Sequence, residues 1–346
     1  MCTSFFIVLA NCFYLAGSLY FICHLFKGQF RYWHLISLTL LNWIIIKTTI
    51  TPLSDIQYMF FSTGTLFFFI EYSKKGKALL LIGMLVFCFL AILTRTIGVL
   101  LPASMGLSFI LSKKGAISER LRSSSTWIIF AIAGFLLMII IFSRFFRVDD
   151  YIELMLPFFR RNPALFFIEN IRIHLTDWAE IFINTSFLKL PLISGAIKQP
   201  FALLAGILFM GYFLWLLLKL TTAIPVVIIV YLISYIILIF NWPTYDARFW
   251  VPVLPLIISI ILQMPVLKKR YLSAIIFMWK LVYIVFGTIA IGYYTLLTFN
   301  KEMFAERHDM GIWRNEYRVY FFEKPLTDSN VIIREYPLNI LKKYDR

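Results

Sequence analysis

Residues 223–241 read AIPVVIIVYLISYIILIFN and contain no charged side chain. About 20 apolar residues are needed for a helix to cross the hydrocarbon core of a bilayer, which is about 30 Å thick. The run therefore predicts a transmembrane helix. A polar turn follows over Asn241–Arg248, and a second apolar run begins at residue 250. This order predicts that the chain leaves the membrane, turns at its surface and enters it again.

The same alternation of apolar runs and short polar turns continues along the whole chain. Of the 346 residues, 61% are hydrophobic and 15% are charged, whereas soluble domains average about 45–50% apolar and about 25% charged residues. So few polar residues exclude a soluble globular protein, and we predict an all-α polytopic membrane protein. Ten transmembrane helices are predicted, at 4–26, 33–50, 56–71, 78–93, 97–112, 126–143, 201–220, 223–241, 250–267 and 272–299.

Basic residues decide the predicted orientation of these helices. The formal net charge is +15, and many of the Lys and Arg residues cluster in alternate short loops, such as 74–77 and 268–270. Cytoplasmic loops carry such an excess of basic residues. The N-terminus, the loop 144–200 and the tail 300–346 are then outside, and we expect a bacterial inner (plasma) membrane. The basic clusters adjoin apolar runs and form no nucleic-acid-binding module, so we expect no nucleic-acid partner.

Four segments follow from this topology: the N-terminal membrane helices over 1–143, an outer loop over 144–200, the C-terminal membrane helices over 201–299 and a small outer tail over 300–346. In the loop, Asn162 and Pro163 are typical of a helix N-terminus. The helix that follows is predicted to be amphipathic, because apolar residues recur every three or four positions. The apolar face comprises Phe167, Ile171, Leu175, Trp178 and Phe182.

This helix is expected to lie in the membrane interface. Two roles remain open for it: a lid packed on the helix bundle, or one wall of a lipid-facing site. The sequon Asn184-Thr185-Ser186 follows the helix on the predicted outer side, where it would be open to glycosylation in a secretory compartment.

Three predicted outer turns carry the charged residues that could form a functional site, because charge at the edge of a membrane span is costly unless it is paired or hydrated. The first turn contains Asp55, for which capping of the next helix by Ser54 or Asp55 is the alternative. The second contains Arg95, for which contact with ordinary lipid headgroups is the alternative. The third contains Asp246 and Arg248, which could form only a local ion pair. Because an arginine binds phosphate with two parallel hydrogen bonds, the two outer arginines favour a lipid phosphate or diphosphate.

The three turns resemble segments of a known family. Leu93-Thr-Arg95-Thr-Ile-Gly98 and Tyr245-Asp-Ala-Arg248-Phe-Trp-Val-Pro-Val-Leu-Pro255 resemble two segments of the polytopic GT-C glycosyltransferases, in particular the family 39 protein mannosyltransferases and the bacterial aminoarabinose transferases. Pro52-Leu-Ser-Asp55-Ile-Gln-Tyr58 resembles their second outer loop. The resemblance extends over residues 30–265 in order and spacing.

The resemblance implies transfer of a sugar, with inversion, from a polyprenyl-phosphate carrier to a lipid, glycan or protein acceptor on the outer face. Arg95 and Arg248 would bind the carrier phosphate. Asp55 would be the catalytic carboxylate or would position the acceptor, and Tyr58, Tyr245 and Asp246 would contact the substrate. No cofactor is expected, although a divalent metal is left open.

The sequence differs from the family in one respect. The family carries its principal catalytic acid in an outer loop that follows an initial span, and this chain starts with what resembles the family's second span. We therefore expect a truncated chain, an inactive relative, or a chain in which Asp149, Asp150 or Glu153 takes over that role.

Two other functions remain open. A polymerase or ligase of lipid-linked glycans would use Arg and His residues of the large loop, where Arg172 and His174 are candidates. A transporter or scaffold is the other possibility, although the sequence contains no convincing internal repeat and few polar residues at mid-membrane depth.

Overall fold

The computed structural model describes residues 2–51, 54–111, 162–186, 195–242, 246–263, 270–300 and 314–322, with a few isolated positions between 156 and 342. Within these ranges the secondary structure is helical, and no strand occurs. The helices are α1 (Cys2–Leu25), α2 (Tyr32–Leu40), α3 (Trp43–Ile50), α4 (Asp55–Lys75), α5 (Ala78–Thr94), α6 (Leu100–Leu111), α7 (Pro163–Ile183), α8 (Gly195–Lys219), α9 (Val226–Phe240), α10 (Leu254–Leu262), α11 (Arg270–Phe299) and α12 (Arg314–Phe322).

Three of the described helices are long and apolar enough to cross a membrane. They cover Phe6–Leu25 in α1, Ile197–Lys219 in α8 and Phe277–Leu297 in α11. The pair α2 and α3 adds a fourth if the two helices are taken as one broken span. A helical, membrane-type fold is therefore confirmed for the part of the chain that the structure describes, and the total of ten spans stays a prediction. The predicted span 126–143 lies outside the described residues.

Two segments predicted as spans form helices with other boundaries in the structure. The span predicted over 33–50 is broken into α2 and α3, which meet at an angle of 64°. Asn42 causes the break, because its side chain accepts a hydrogen bond from the Ile44 amide (3.1 Å) and so starts a new helix. The segment predicted as a span over 56–71 lies within the longer helix α4, which ends at Gly76 in the left-handed conformation (φ +67°).

Helix α7 begins as predicted, with the Asn162 side chain accepting a hydrogen bond from the Leu165 amide (3.1 Å) and Pro163 in the first turn. Of the predicted apolar face, Trp178 and Phe182 near the end of the helix are buried, and the expected place of α7 in the membrane interface stays a prediction. The predicted apolar residues Phe167 and Ile171 are exposed, whereas the whole stretch 176–182 is buried. The C-terminal half of α7 is thus an inner helix of the bundle.

The close packing of α7 against α8 depends on Gly206, because a Cβ atom there would collide with the backbone of Leu175. The buried residues of α7 include Trp178 and Phe182, whose rings pack on Phe213 (5.4 Å) and Phe209 (5.3 Å) of α8. Aromatic pairs at these separations contribute beyond the area that they bury. The two helices therefore form one tightly packed unit.

The sequon asparagine is not accessible in this fold. Asn184 is 1% exposed and adopts a left-handed conformation (φ +64°) that ends α7. Its amide nitrogen donates to the carbonyl oxygens of Leu41 (2.8 Å) and Tyr283 (2.7 Å), and its oxygen accepts from the Trp43 amide (2.8 Å). Glycosylation would have to displace these hydrogen bonds, so the expectation of an accessible sequon is wrong for the folded chain.

Candidate functional site

The first part of the site joins the start of α4 to the end of α5. Asp55 is the first residue of α4 and is 1% exposed. Its Oδ1 forms an ion pair with Nη1 of Arg95, which lies 40 positions further along the chain. The Ser54 side chain makes no capping hydrogen bond. The alternative of helix capping by Ser54 or Asp55 is therefore not supported. The Asp55 carboxylate forms an ion pair with Arg95 instead.

A sharp turn after α5 presents Arg95. The residue is extended (φ −151°, ψ 139°), and a short 3₁₀ helix follows over Thr96–Val99. The Gly98 amide donates to the Arg95 carbonyl (2.9 Å). Gly98 must be glycine, because a Cβ atom there would lie 2.8 Å from backbone atoms of Ala91 and Ile92. The Thr-Arg-Thr-Ile-Gly sequence thus folds back on α5 and leaves the arginine at the tip.

The second part of the site is the turn between α9 and α10. One oxygen of Asp246 accepts a hydrogen bond from the Arg248 amide (3.0 Å) and caps the 3₁₀ helix Ala247–Trp250. The other oxygen lies 2.9 Å from Nε of Arg248. The local ion pair between these residues is therefore present. Because both side chains are about one third exposed (33% and 29%), the pair faces the surface.

Phe249 brings the two parts together. Its ring lies 5.8 Å from the guanidinium carbon of Arg95 and 5.3 Å from that of Arg248. These distances are within the range of cation–π attraction. The Phe249 carbonyl accepts a hydrogen bond from the Tyr235 hydroxyl of α9 (2.6 Å). The ring thus lies within reach of two guanidinium groups that come from distant parts of the chain, and its backbone is held by Tyr235.

The charges of the cluster influence one another. Asp55 immediately precedes the predicted span 56–71, and burial raises its pKa. The guanidinium groups of Arg95 and Arg248 act in the opposite direction, and the negative charge of Asp246 adds to the increase. Two carboxylates and two guanidinium groups therefore share one electrostatic site. We call Asp55, Arg95, Asp246, Arg248 and Phe249 the arginine cluster.

The remaining predicted site residues lie elsewhere. Tyr58 is fully buried on α4, one turn after Asp55, and its hydroxyl is 3.1 Å from that of Tyr231 on α9. Its side chain lies in the core and presents no surface in the free protein. Tyr245 lies outside the described residues, as do Asp149, Asp150 and Glu153. Their predicted roles stay predictions.

Chemically, the arginine cluster suits an oxyanion. Guanidinium groups offer planar pairs of N–H donors, which match the oxygens of a phosphate. Both guanidinium groups already hold a carboxylate, so a phosphate would take the place of a similar anionic group. Among the described residues, no group of three or more His, Cys, Asp and Glu side chains is arranged to hold a metal ion.

A second pair of ionisable residues lies beside the cluster; sequence reasoning named His174 as a candidate but missed its partner, Asp177. His174 and Asp177 of α7 are both completely buried, with Nδ1 of His174 2.9 Å from Oδ2 of Asp177. Nε2 of the same ring lies 2.8 Å from the Trp242 carbonyl. The available signal was the spacing of Asn170, His174 and Asp177, which places three polar residues on one face of a helix. That polar face is turned into the bundle.

Comparisons with known proteins give no assignment for this arrangement. No family model, no curated protein and no solved structure matches the chain. The functional argument therefore rests on the residues of the arginine cluster and on their surroundings.

Proposed function

We propose that this protein is a membrane glycosyltransferase that takes a sugar from a polyprenyl-phosphate carrier and transfers it to a lipid, glycan or protein acceptor at the outer membrane surface. The observation that carries the proposal is that the guanidinium carbons of Arg95 and Arg248 lie 5.8 Å and 5.3 Å from the centre of the same Phe249 ring. Two arginines from turns of the same predicted side then face one location. A lipid phosphate at the membrane surface is the anion that such a location favours.

The proposed reaction is a substitution at C1 of the sugar, with the phosphate of the carrier as the leaving group. The C1–O bond to the phosphate breaks while the acceptor oxygen bonds to C1 from the opposite side, which inverts the configuration. Arg95 and Arg248 stabilise the charge that collects on the departing phosphate. Phosphate monoesters are good leaving groups, so the reaction requires one carboxylate to accept the acceptor proton and no general acid.

Asp55 is the carboxylate that we assign to this proton transfer. In the free protein it is paired with Arg95. Asp55 is 1% exposed in the free protein, where it is covered by Arg95. When the carrier phosphate binds Arg95 and draws the guanidinium away, the carboxylate loses that partner, becomes accessible to the acceptor and can take its proton. Its burial favours this role, because a carboxylate in an apolar setting binds protons more readily. Transfer of a hexose or pentose is compatible with the site, since nothing in the cluster selects the sugar.

The main alternative receives less support. A polymerase or ligase of lipid-linked glycans would use Arg172 and His174 together, but these side chains point to different surroundings. Arg172 is exposed and bonds Glu169 and Gln199, whereas His174 is buried. A transporter or scaffold would not require two arginines around one aromatic ring at the membrane surface.

The test compares two lipids that differ only in the phosphate. The full chain is reconstituted in phosphatidylcholine nanodiscs, and retention of undecaprenyl phosphate and of undecaprenol is measured by native mass spectrometry. We expect selective retention of the phosphate. An Arg95→Lys/Arg248→Lys variant keeps both charges and loses the planar donors, so retention should fall about tenfold. Arg172→Lys is the matched control and should leave retention unchanged.

Transfer is then measured directly, as release of undecaprenyl phosphate from undecaprenyl-phosphate sugars in the presence of membrane extract as the source of acceptor. We expect release by the wild type and about a hundredfold slower release by Asp55→Asn. Equal retention of the two lipids, or equal retention by the double lysine variant, would overturn the phosphate assignment. Selective retention without release would indicate that the protein binds a lipid phosphate and is not a transferase.

A further inference from the structure

The hydrogen bonds of His174 determine where its protons are. A carbonyl oxygen only accepts, so Nε2, at 2.8 Å from the Trp242 carbonyl, carries a hydrogen. Nδ1 then either donates to an ionised Asp177 or accepts from a protonated Asp177 (2.9 Å). In both arrangements the pair is electrically neutral as a whole. This neutrality explains how two ionisable side chains can both be completely buried.

The pair lies directly behind the turn that carries Asp246 and Arg248. His174 holds the backbone of Trp242, before that turn. Its ring is also 6.2 Å from the ring of Trp250, after the turn. Trp178, one helical turn further along α7, packs edge-on against the same Trp250 ring (5.4 Å, 87°). One face of α7 therefore contacts both ends of the turn.

Packing of the core does not by itself require a His–Asp pair at this position. A buried ion pair or polar pair is not more stabilising than apolar residues of the same volume. Apolar side chains such as Leu and Phe could fill the positions of His174 and Asp177 on the inner face of α7. A polar pair fixes the orientation of the neighbouring backbone instead, because a hydrogen bond is directional and His174 holds the carbonyl of Trp242 in one place.

We propose that the His174–Asp177 pair is a positioning device that, through its contacts with Trp242 and Trp250, holds the 3₁₀ helix Ala247–Trp250 so that Arg248 faces the lipid phosphate. The proposal deepens the proposed function and rests on it for the identity of the ligand. His174 and Asp177 do not act on substrate. Both ring nitrogens are engaged, and neither side chain has exposed surface.

The experiment replaces both His174 and Asp177, so that no unpaired charge is left in the core. His174→Phe/Asp177→Leu keeps the ring among Phe240 and Trp250 and replaces the carboxylate by a side chain of similar shape. Hydrogen–deuterium exchange of the reconstituted chain is measured over residues 246–253. We expect exchange about tenfold faster there, which corresponds to the loss of one buried hydrogen bond. Exchange over residues 78–94 of α5 should not change.

The matched control is the other acid–base pair at the same spacing on the same helix. Glu169 and Arg172 are both exposed and lie 3.5 Å apart. Glu169→Ala/Arg172→Ala should leave exchange over 246–253 at the wild-type rate. Asp177→Asn should also be close to wild type, because the amide can donate to Nδ1 as a protonated carboxyl does. If the double variant does not fold, His174→Gln takes its place with the same measurements.

A binding cycle separates positioning from general stability. The His174→Phe/Asp177→Leu change should weaken retention of undecaprenyl phosphate about tenfold in the wild type and not at all in an Arg248→Gln background. Additive losses, unchanged exchange over 246–253, or faster exchange throughout α5 would overturn the proposal. If the wild type retains no undecaprenyl phosphate, the proposed function fails, while the exchange measurement still decides whether the pair holds the turn.

Discussion

Both ion pairs of the arginine cluster join an aspartate to an arginine, but one is buried between two helices and the other is partly exposed within a single turn. Asp55 and Arg95 come from different helices, and their side chains are 2% and 20% exposed. Asp246 and Arg248 lie two positions apart in one turn, and their side chains are 29% and 33% exposed. The first pair therefore holds α4 against the turn after α5. The second leaves its arginine at the surface, where an incoming anion can compete with the carboxylate.

This difference predicts that the buried pair matters most for stability. Arg95→Gln leaves the Asp55 carboxylate buried without a cation, and breaking a buried pair in this way is strongly destabilising. We expect a loss of about 3 kcal/mol in the free energy of unfolding, measured by SDS titration from mixed micelles. Asp55→Asn/Arg95→Gln is the control and should recover most of the loss, because no charge is left buried. Equal losses in the single and double variants would contradict a buried charge as the cause.

The exposed pair should matter for binding instead. Arg248→Gln is expected to change the free energy of unfolding by less than about 1 kcal/mol, since exposed ion pairs contribute little. Retention of undecaprenyl phosphate should nevertheless fall about tenfold, because one charge-assisted contact to the phosphate is lost. Arg172→Gln, which removes an exposed arginine outside the cluster, should alter neither quantity. A stability loss as large as that of Arg95→Gln would remove the distinction between the pairs.

The smallest effect is expected at Asp246. In Asp246→Asn the amide oxygen still accepts the hydrogen bond from the Arg248 backbone, so the 3₁₀ helix Ala247–Trp250 should remain. The charge that competes with phosphate for Arg248 disappears, and binding of undecaprenyl phosphate should tighten about threefold. A titration of the lipid into nanodiscs measures this change. Weaker binding would indicate that Asp246 contacts the substrate directly, as the sequence resemblance implies.

Much of the site could be predicted from sequence because its residues break a local pattern. Asp55, Arg95 and Arg248 are charged residues beside long apolar runs, and alternate turns of a helical membrane protein lie on the same side. What the sequence could not give is their pairing. Helix capping by Asp55 was an equally reasonable expectation, and the contact with Arg95 depends on how α4 and α5 pack together.

The helix α7 shows the limit of periodicity more clearly. Its residues alternate between two faces, and the rule for a soluble or interfacial helix turns the apolar face inward. In the structure Phe167 and Ile171 of the apolar face are exposed, whereas Trp178 and Phe182 of the same face are buried. His174 and Asp177 of the polar face are buried as well. Periodicity reports that a helix has two faces. Which face is buried depends on the partners that the tertiary structure supplies.

By itself the sequence determined the helical, membrane-type fold, because apolar runs of sufficient length have few other stable arrangements. It also marked the turns in which charge is concentrated. Only the tertiary structure decided that Arg95 and Arg248 share the Phe249 ring, that Asn184 is locked into the core, and that a neutral His–Asp pair stands behind the Arg248 turn. These contacts join residues from distant parts of the chain, and no local pattern encodes which distant residues will meet.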